Sequence, residues 1–128
     1  MPLKRVSCQL PVTLEGFYKK LAASDDSVTA GVGEQMLCLL PMLSEFCNPF
    51  EVWGLTSLYH LWLLAADDWR SPWLVRITAM PGEGYRISYR MAAVDAPWPD
   101  ALVEGLAEDK LTACQRVLIG MKRSGGWD

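Results

Sequence analysis

A single histidine, His60, is all that this chain offers for imidazole chemistry. That scarcity removes much of the usual catalytic and metal-binding repertoire. Zinc sites draw on clustered cysteine and histidine, whereas Cys8, Cys38, Cys47 and Cys114 are scattered and include no C-x-x-C pair. No metal and no other cofactor is expected. A glycine-rich phosphate loop is missing as well, because Gly31-Val32-Gly33 lacks a later glycine and a preceding strand. Long apolar runs are also absent. Met36 to Leu43 and Leu58 to Ala66, the latter broken by His60, fall well short of the ~20 residues that span a bilayer, so no membrane partner is expected. Excess charge of one sign is lacking too: 12 basic against 15 acidic residues give a net charge of −3, which argues against nucleic acid as a partner. Lys4 and Arg5 imitate the start of an export signal, but Gln9, Pro11, Thr13 and Glu15 interrupt any apolar core for it. Cys8 follows Arg5-Val6-Ser7, without the apolar residue a lipoprotein signal needs, and a cytoplasmic location is expected.

What the chain does have is hydrophobic material. At 51% of 128 residues it is enough to bury a core without disulfides, and residues 1–128 are read as one compact domain. The cysteines are expected to be buried, reduced thiols. If Cys38 and Cys47 share a helix, nine steps of ~100° place them on opposite faces.

Helical spacing marks two N-terminal helices. The first runs from Leu14 to Ala23, capped by Thr13, with Phe17, Tyr18 and Leu21 as its apolar stripe and Ser24-Asp25-Asp26-Ser27 ending it. After a loop at Gly31 to Gly33, the second spans Glu34 to Phe46, carries Met36, Leu37, Leu40, Leu43 and Phe46 on one side, and is kinked at Pro41. The clearest signal follows. Trp73, Val75, Ile77 and Ala79 alternate with Leu74, Arg76, Thr78 and Met80; beyond Pro81-Gly82-Glu83-Gly84, Tyr85, Ile87, Tyr89 and Met91 alternate with Arg86, Ser88 and Arg90. This predicts a β-hairpin with one apolar face and one face bearing Arg76, Arg86 and Arg90.

Residues 55–66 fit either a helix or a buried strand, and the short connection into the hairpin favours a strand. Pro99 suits the first turn of a helix holding Leu102, Val103 and Leu106 inward, with Asp100 and Glu104 near its positive end. A last helix carries Leu111, Cys114, Val117, Leu118 and Met121 before Ser124-Gly125-Gly126, and Trp127 folds back onto the body. The expected fold is therefore α+β: two N-terminal helices, a three-stranded antiparallel β-meander and two C-terminal helices packed on one sheet face.

No catalytic constellation emerges. His60 precedes Asp67 by seven residues, ~23 Å along a strand and on the opposite face, and the adjacent Asp67 and Asp68 cannot flank a cleft as glycosidase carboxylates do. Loop capping and solvation explain that pair. Stronger candidates come from strand alternation. If Tyr59, Leu61 and Leu63 point inward, His60 and Trp62 join Arg76, Arg86 and Arg90 on the outer face, with Asp67, Asp68 and Trp69 at its rim. Arginine and tryptophan dominate interface energetics, so these eight residues form a candidate partner-binding surface; an ordinary solvated sheet face explains the arginines equally well.

The ordered series Trp73-x-Val75-x-Ile77, Tyr85-x-Ile87-x-Tyr89-x-Met91, Pro97-Trp98-Pro99 and Ser124-Gly125-Gly126-Trp127 resembles small bacterial immunity proteins that neutralise secreted polymorphic toxins. The resemblance covers the C-terminal half and implies a non-enzymatic inhibitor that binds one cognate toxin, by occluding its active site or locking an inactive shape. Two other readings stand beside it. One is a small enzyme or small-ligand binder with a pocket between sheet and helices, lined by Trp, Tyr, Met and His60. The other is an adaptor that forms a homodimer or larger oligomer through an open sheet edge or apolar helix face.

Overall fold

The computed structural model describes residues 3–127. Strand β1 (Leu3–Arg5) leads through a 3₁₀ turn (Ser7–Gln9) to helices α1 (Leu14–Ala22) and α2 (Ser27–Cys47). Strands β2 (Val52–Ser57), β3 (His60–Leu64), β4 (Val75–Met80), β5 (Gly84–Arg90) and β6 (Leu102–Ala107) follow, and α3 (Lys110–Arg123) ends the fold. The strands form one sheet in the order β1 to β6, with β1 parallel to β2 and the remaining neighbours antiparallel.

The α+β class stands, but the expected arrangement of two helices, a three-stranded meander and two helices does not. The described residues form six strands and three α-helices. The expected single strand over 55–66 is instead the hairpin β2–β3. Its turn, Leu58-Tyr59, contains neither glycine nor asparagine, and Leu58 adopts a left-handed φ of +53° where such a turn normally uses one of them. The turn is therefore invisible within a continuous apolar run. The expected helix after Pro99 is strand β6. Asp100, at φ +62°, turns the chain, and Leu102 to Ala107 then pair residue by residue with β5. Helix propensity there is weakened by Gly105 and gives way to the hydrogen bonds that β5 would otherwise leave unmade. β1, at three residues, is too short to carry a period.

α2 also begins seven residues before Glu34, so Gly31 to Gly33 is helix rather than loop. Asp26 caps it by accepting from the Thr29 amide at 2.9 Å. Gly33 lies where α1 and α2 meet: a Cβ there would sit 2.3 Å from the Ala22 amide nitrogen and 2.7 Å from the Tyr18 carbonyl oxygen. The glycine thus serves close helix packing.

All helix-to-sheet packing falls on one face. Met36, Leu39 and Leu43 of α2 and Cys114, Val117 and Met121 of α3 enclose Leu61, Leu63, Val75, Ile77 and Ile87, each large aliphatic side chain contributing about 1.5–3 kcal/mol on burial. Trp127 closes the core, its indole donating to the Glu51 carbonyl at 2.9 Å. Of the thiols, Cys47 and Cys114 are buried; Cys8 and Cys38 are exposed, contrary to expectation. Cys8 lies in the 3₁₀ turn, and Cys38 is on the side of α2 that faces the start of α3, where an open cleft leaves it accessible beside Lys110. No helix among the described residues is long and apolar enough to cross a membrane.

Candidate functional site: the uncovered sheet face

Ladder register sets the site. Leu55, Trp62, Arg76, Ser88 and Glu104 lie side by side across five strands, and Ser57, His60, Thr78, Arg86 and Leu106 form the next row. Alternation sends their neighbours Leu61, Leu63, Val75, Ile77 and Ile87 into the core, so these two rows face away from the helices. Among the described residues no helix lies over them. Tyr59, expected to point inward, is in the exposed β2–β3 turn and bonds Thr29 through its hydroxyl at 3.0 Å.

Trp73 belongs to this face as well. Alternation from Val75 would place it with the core, but Leu74 and Val75 both pack toward the helices, and this break reverses the side of Trp73. Its ring lies 5.8 Å from that of Trp62. The Arg90 and Arg76 guanidiniums sit 4.8 and 5.2 Å from its centroid, contacts worth about 0.5–1 kcal/mol each where solvent reaches them.

Carboxylates partly neutralise the arginines. Glu104 accepts from Ser88 Oγ at 2.8 Å and stands 3.6 Å from Arg76 and 3.9 Å from Arg86. Arg90 pairs with Asp100 at 2.9 Å. These long or half-exposed ion pairs contribute roughly 0–1 kcal/mol apiece. Three arginines against two carboxylates leave the patch cationic on a chain of net charge −3. Donors exceed acceptors too: Trp62 Nε1, Arg76 Nε and Arg90 Nε are buried without a hydrogen-bond partner among the described residues.

His60 occupies the turn end of the patch. Its Nδ1 lies 2.7 Å from Thr78 Oγ1. Burial, then the positive charges of Arg76 and Arg86, hold its pKa below the ordinary value. No carboxylate contacts it among the described residues, so it lacks the orienting acid of a triad.

The remaining expected rim residues go elsewhere. Asp67 accepts from the Ser7 amide at 2.7 Å and from the Ser7 hydroxyl, which pins the 3₁₀ turn and, with those bonds as the main cause, lowers its pKa. Asp68 accepts from the Arg70 amide at 3.0 Å and closes its own loop. Trp69 is exposed beside Arg70. The structure therefore gathers His60, Trp62, Arg76, Arg86 and Arg90 but ties the aspartates to loop structure. Sequence reasoning missed Trp73, Ser88, Glu104 and Asp100. Ser88 and Glu104 become neighbours only once 102–107 is a strand.

No family model, curated protein or solved structure matches this chain.

Clefts open at the ends of the sheet. One of about 580 Å³ lies between α2, the β4–β5 turn and the start of α3, lined by Gln35, Cys38, Tyr85 and Lys110. There the Tyr85 hydroxyl donates to the Gln35 carbonyl at 2.8 Å, and burial raises the Tyr85 pKa to about 12. A second, also about 580 Å³, runs beside Arg90, Trp98 and Asp100. His60 lines neither. Among the described residues, no three His, Cys, Asp or Glu side chains converge as metal ligands.

Proposed function

We propose that this protein is a non-enzymatic protein-binding domain that docks a protein partner on the uncovered sheet face, and that it acts in the cytoplasm as an immunity protein against a cognate toxin. The observation that carries the binding reading is the cluster of Trp62, Trp73, Arg76 and Arg90, packed together on a face that no helix covers among the described residues. Such a cluster has the composition of an interface hot spot: large, rigid aromatic area at low entropic cost, with guanidinium donors fixed around it. The excess positive charge of three arginines over two carboxylates suits a partner surface bearing carboxylates. The immunity assignment rests on the residue series of the C-terminal half, and inhibition would follow from covering the toxin's active surface or holding it in an inactive shape.

Co-expression with the product of a neighbouring toxin gene tests both parts. The wild-type chain is expected to protect cells and to bind the toxin directly. Arg86→Glu and Trp73→Ala are each expected to weaken binding, Trp73→Ala by about thirtyfold if it is a hot spot. Folded variants that bind as tightly as wild type would remove the face from the interface. Failure of the wild type to protect would end the immunity reading.

A further inference from the structure

The sheet has two edges, and they are unequal. β1 is three residues long, whereas β6 offers six residues with no neighbour beyond it among the described residues. The direction of its backbone groups follows from the ladder. The Arg90 amide donates toward β4, to the Leu74 carbonyl, and the Met91 amide donates across to Ala101, both at 2.9 Å. Alternation then points Tyr89, Ile87 and Tyr85 at β6, and their partners Val103, Gly105 and Ala107 back at β5. The N–H and C=O groups of Leu102, Glu104 and Leu106 point outward. No backbone or side-chain hydrogen bond reaches them among the described residues.

The side chains of these same three residues stand in line on the uncovered face. Leu102 and Leu106 are 44% and 58% exposed. Between them, Glu104 is the strand's sole charge. Ser88, Arg76 and Arg86 all address its Oε1, which leaves Oε2 without a hydrogen bond among the described residues.

We infer that β6 is a docking edge for an extended strand of another protein, one that sets a cationic side chain opposite Glu104 and apolar side chains opposite Leu102 and Leu106. Backbone pairing supplies affinity and the three outer-face positions supply selectivity. Charge decides against a second copy of this chain as the occupant. Outward-bonding residues must face outward-bonding residues, so full self-pairing places Leu102 against Leu106 and Glu104 against its own counterpart, a directly opposed like-charge pair. Sliding by two residues loses one bonded pair and sets Leu102 against Glu104. A foreign strand with lysine or arginine at the centre meets neither obstacle, because Arg76 and Arg86 reach Glu104 from the β5 side and a strand at the edge approaches its opposite flank. The inference is independent of the proposed face: the edge can hold a strand whether or not the tryptophan and arginine cluster touches the same partner.

The test uses a blocked heptapeptide, Thr-Val-Thr-Lys-Thr-Val-Thr, and its counterpart with glutamate for lysine, read by residue-resolved amide exchange. The lysine peptide is expected to slow exchange at Leu102, Glu104 and Leu106 while leaving Val103 and Gly105, already bonded to β5, unchanged. The glutamate peptide is expected to bind about fivefold more weakly, and Glu104→Lys to reverse that order. Leu106→Pro removes an outward N–H without removing a β5 bond, and is expected to abolish the protection while the variant still melts cooperatively. No slowing at these amides, or a peptide order indifferent to the charge at 104, overturns the inference. Slowing that grows with protein concentration in the absence of peptide overturns it in favour of self-association.

Discussion

At His60, environment rather than residue type sets the chemistry. Burial and the guanidiniums of Arg76 and Arg86 hold its folded pKa below the ordinary 6.5. Protonation therefore costs more in the folded chain than in the unfolded one. The associated stability is fully present above about pH 6.5 and is lost as pH falls through that value and the lower folded pKa. Denaturant midpoints taken at about pH 7.5 and about pH 5 are expected to fall further for the wild type than for His60→Gln, since the carboxylate contributions are common to both proteins. Equal losses would assign the effect to other groups. The outward position of His60 was legible from strand alternation; its Thr78 partner was not, because that contact depends on the β3–β4 register. Asp67 makes the same point from the other side. Its bond to Ser7 joins residues 60 positions apart, a pairing that no local spacing encodes.

Among the elements, legibility followed length and amphipathicity. α1, the β4–β5 hairpin and α3 each carry a clear period, and the structure contains all three close to the expected bounds. α2 was read short because two glycines resemble a loop. Gly33 instead admits α1 against α2, so Gly33→Ala is expected to destabilise the protein by about 1–3 kcal/mol through overpacking against backbone atoms. Gly31→Ala, which meets only the Pro81 side chain at 3.2 Å, is expected to cost less. Urea unfolding of the two variants decides this, and equal destabilisation would refute the packing role of Gly33. The β2–β3 turn and β6 were illegible for different reasons. One hides in an apolar run with leucine at the turning position; the other has a helix-compatible sequence that becomes a strand only because β5 requires a neighbour.

The whole molecule divides into a helix-covered sheet face that holds the core and a face that no helix covers among the described residues, and thiol accessibility reports on the core. Exposed Cys8 and Cys38 are expected to react promptly with an aromatic disulfide reagent. Cys47 and Cys114, whose pKa values burial raises to about 12, are expected to react only as the protein unfolds. Prompt reaction of all four in the native protein would contradict the core described above. The sequence by itself determined the α+β class, the core faces of the periodic elements and the side of the sheet on which Arg76, Arg86 and Arg90 lie, because periods of 3.6 and 2 are local properties of the chain. Only the tertiary structure decided that the six strands of the described residues share one sheet, that Trp73 joins the arginines, that Glu104 lies among them and that β6 presents an edge unpaired among those residues. Those features depend on register between distant segments and on which backbone groups remain to be satisfied once the core has formed.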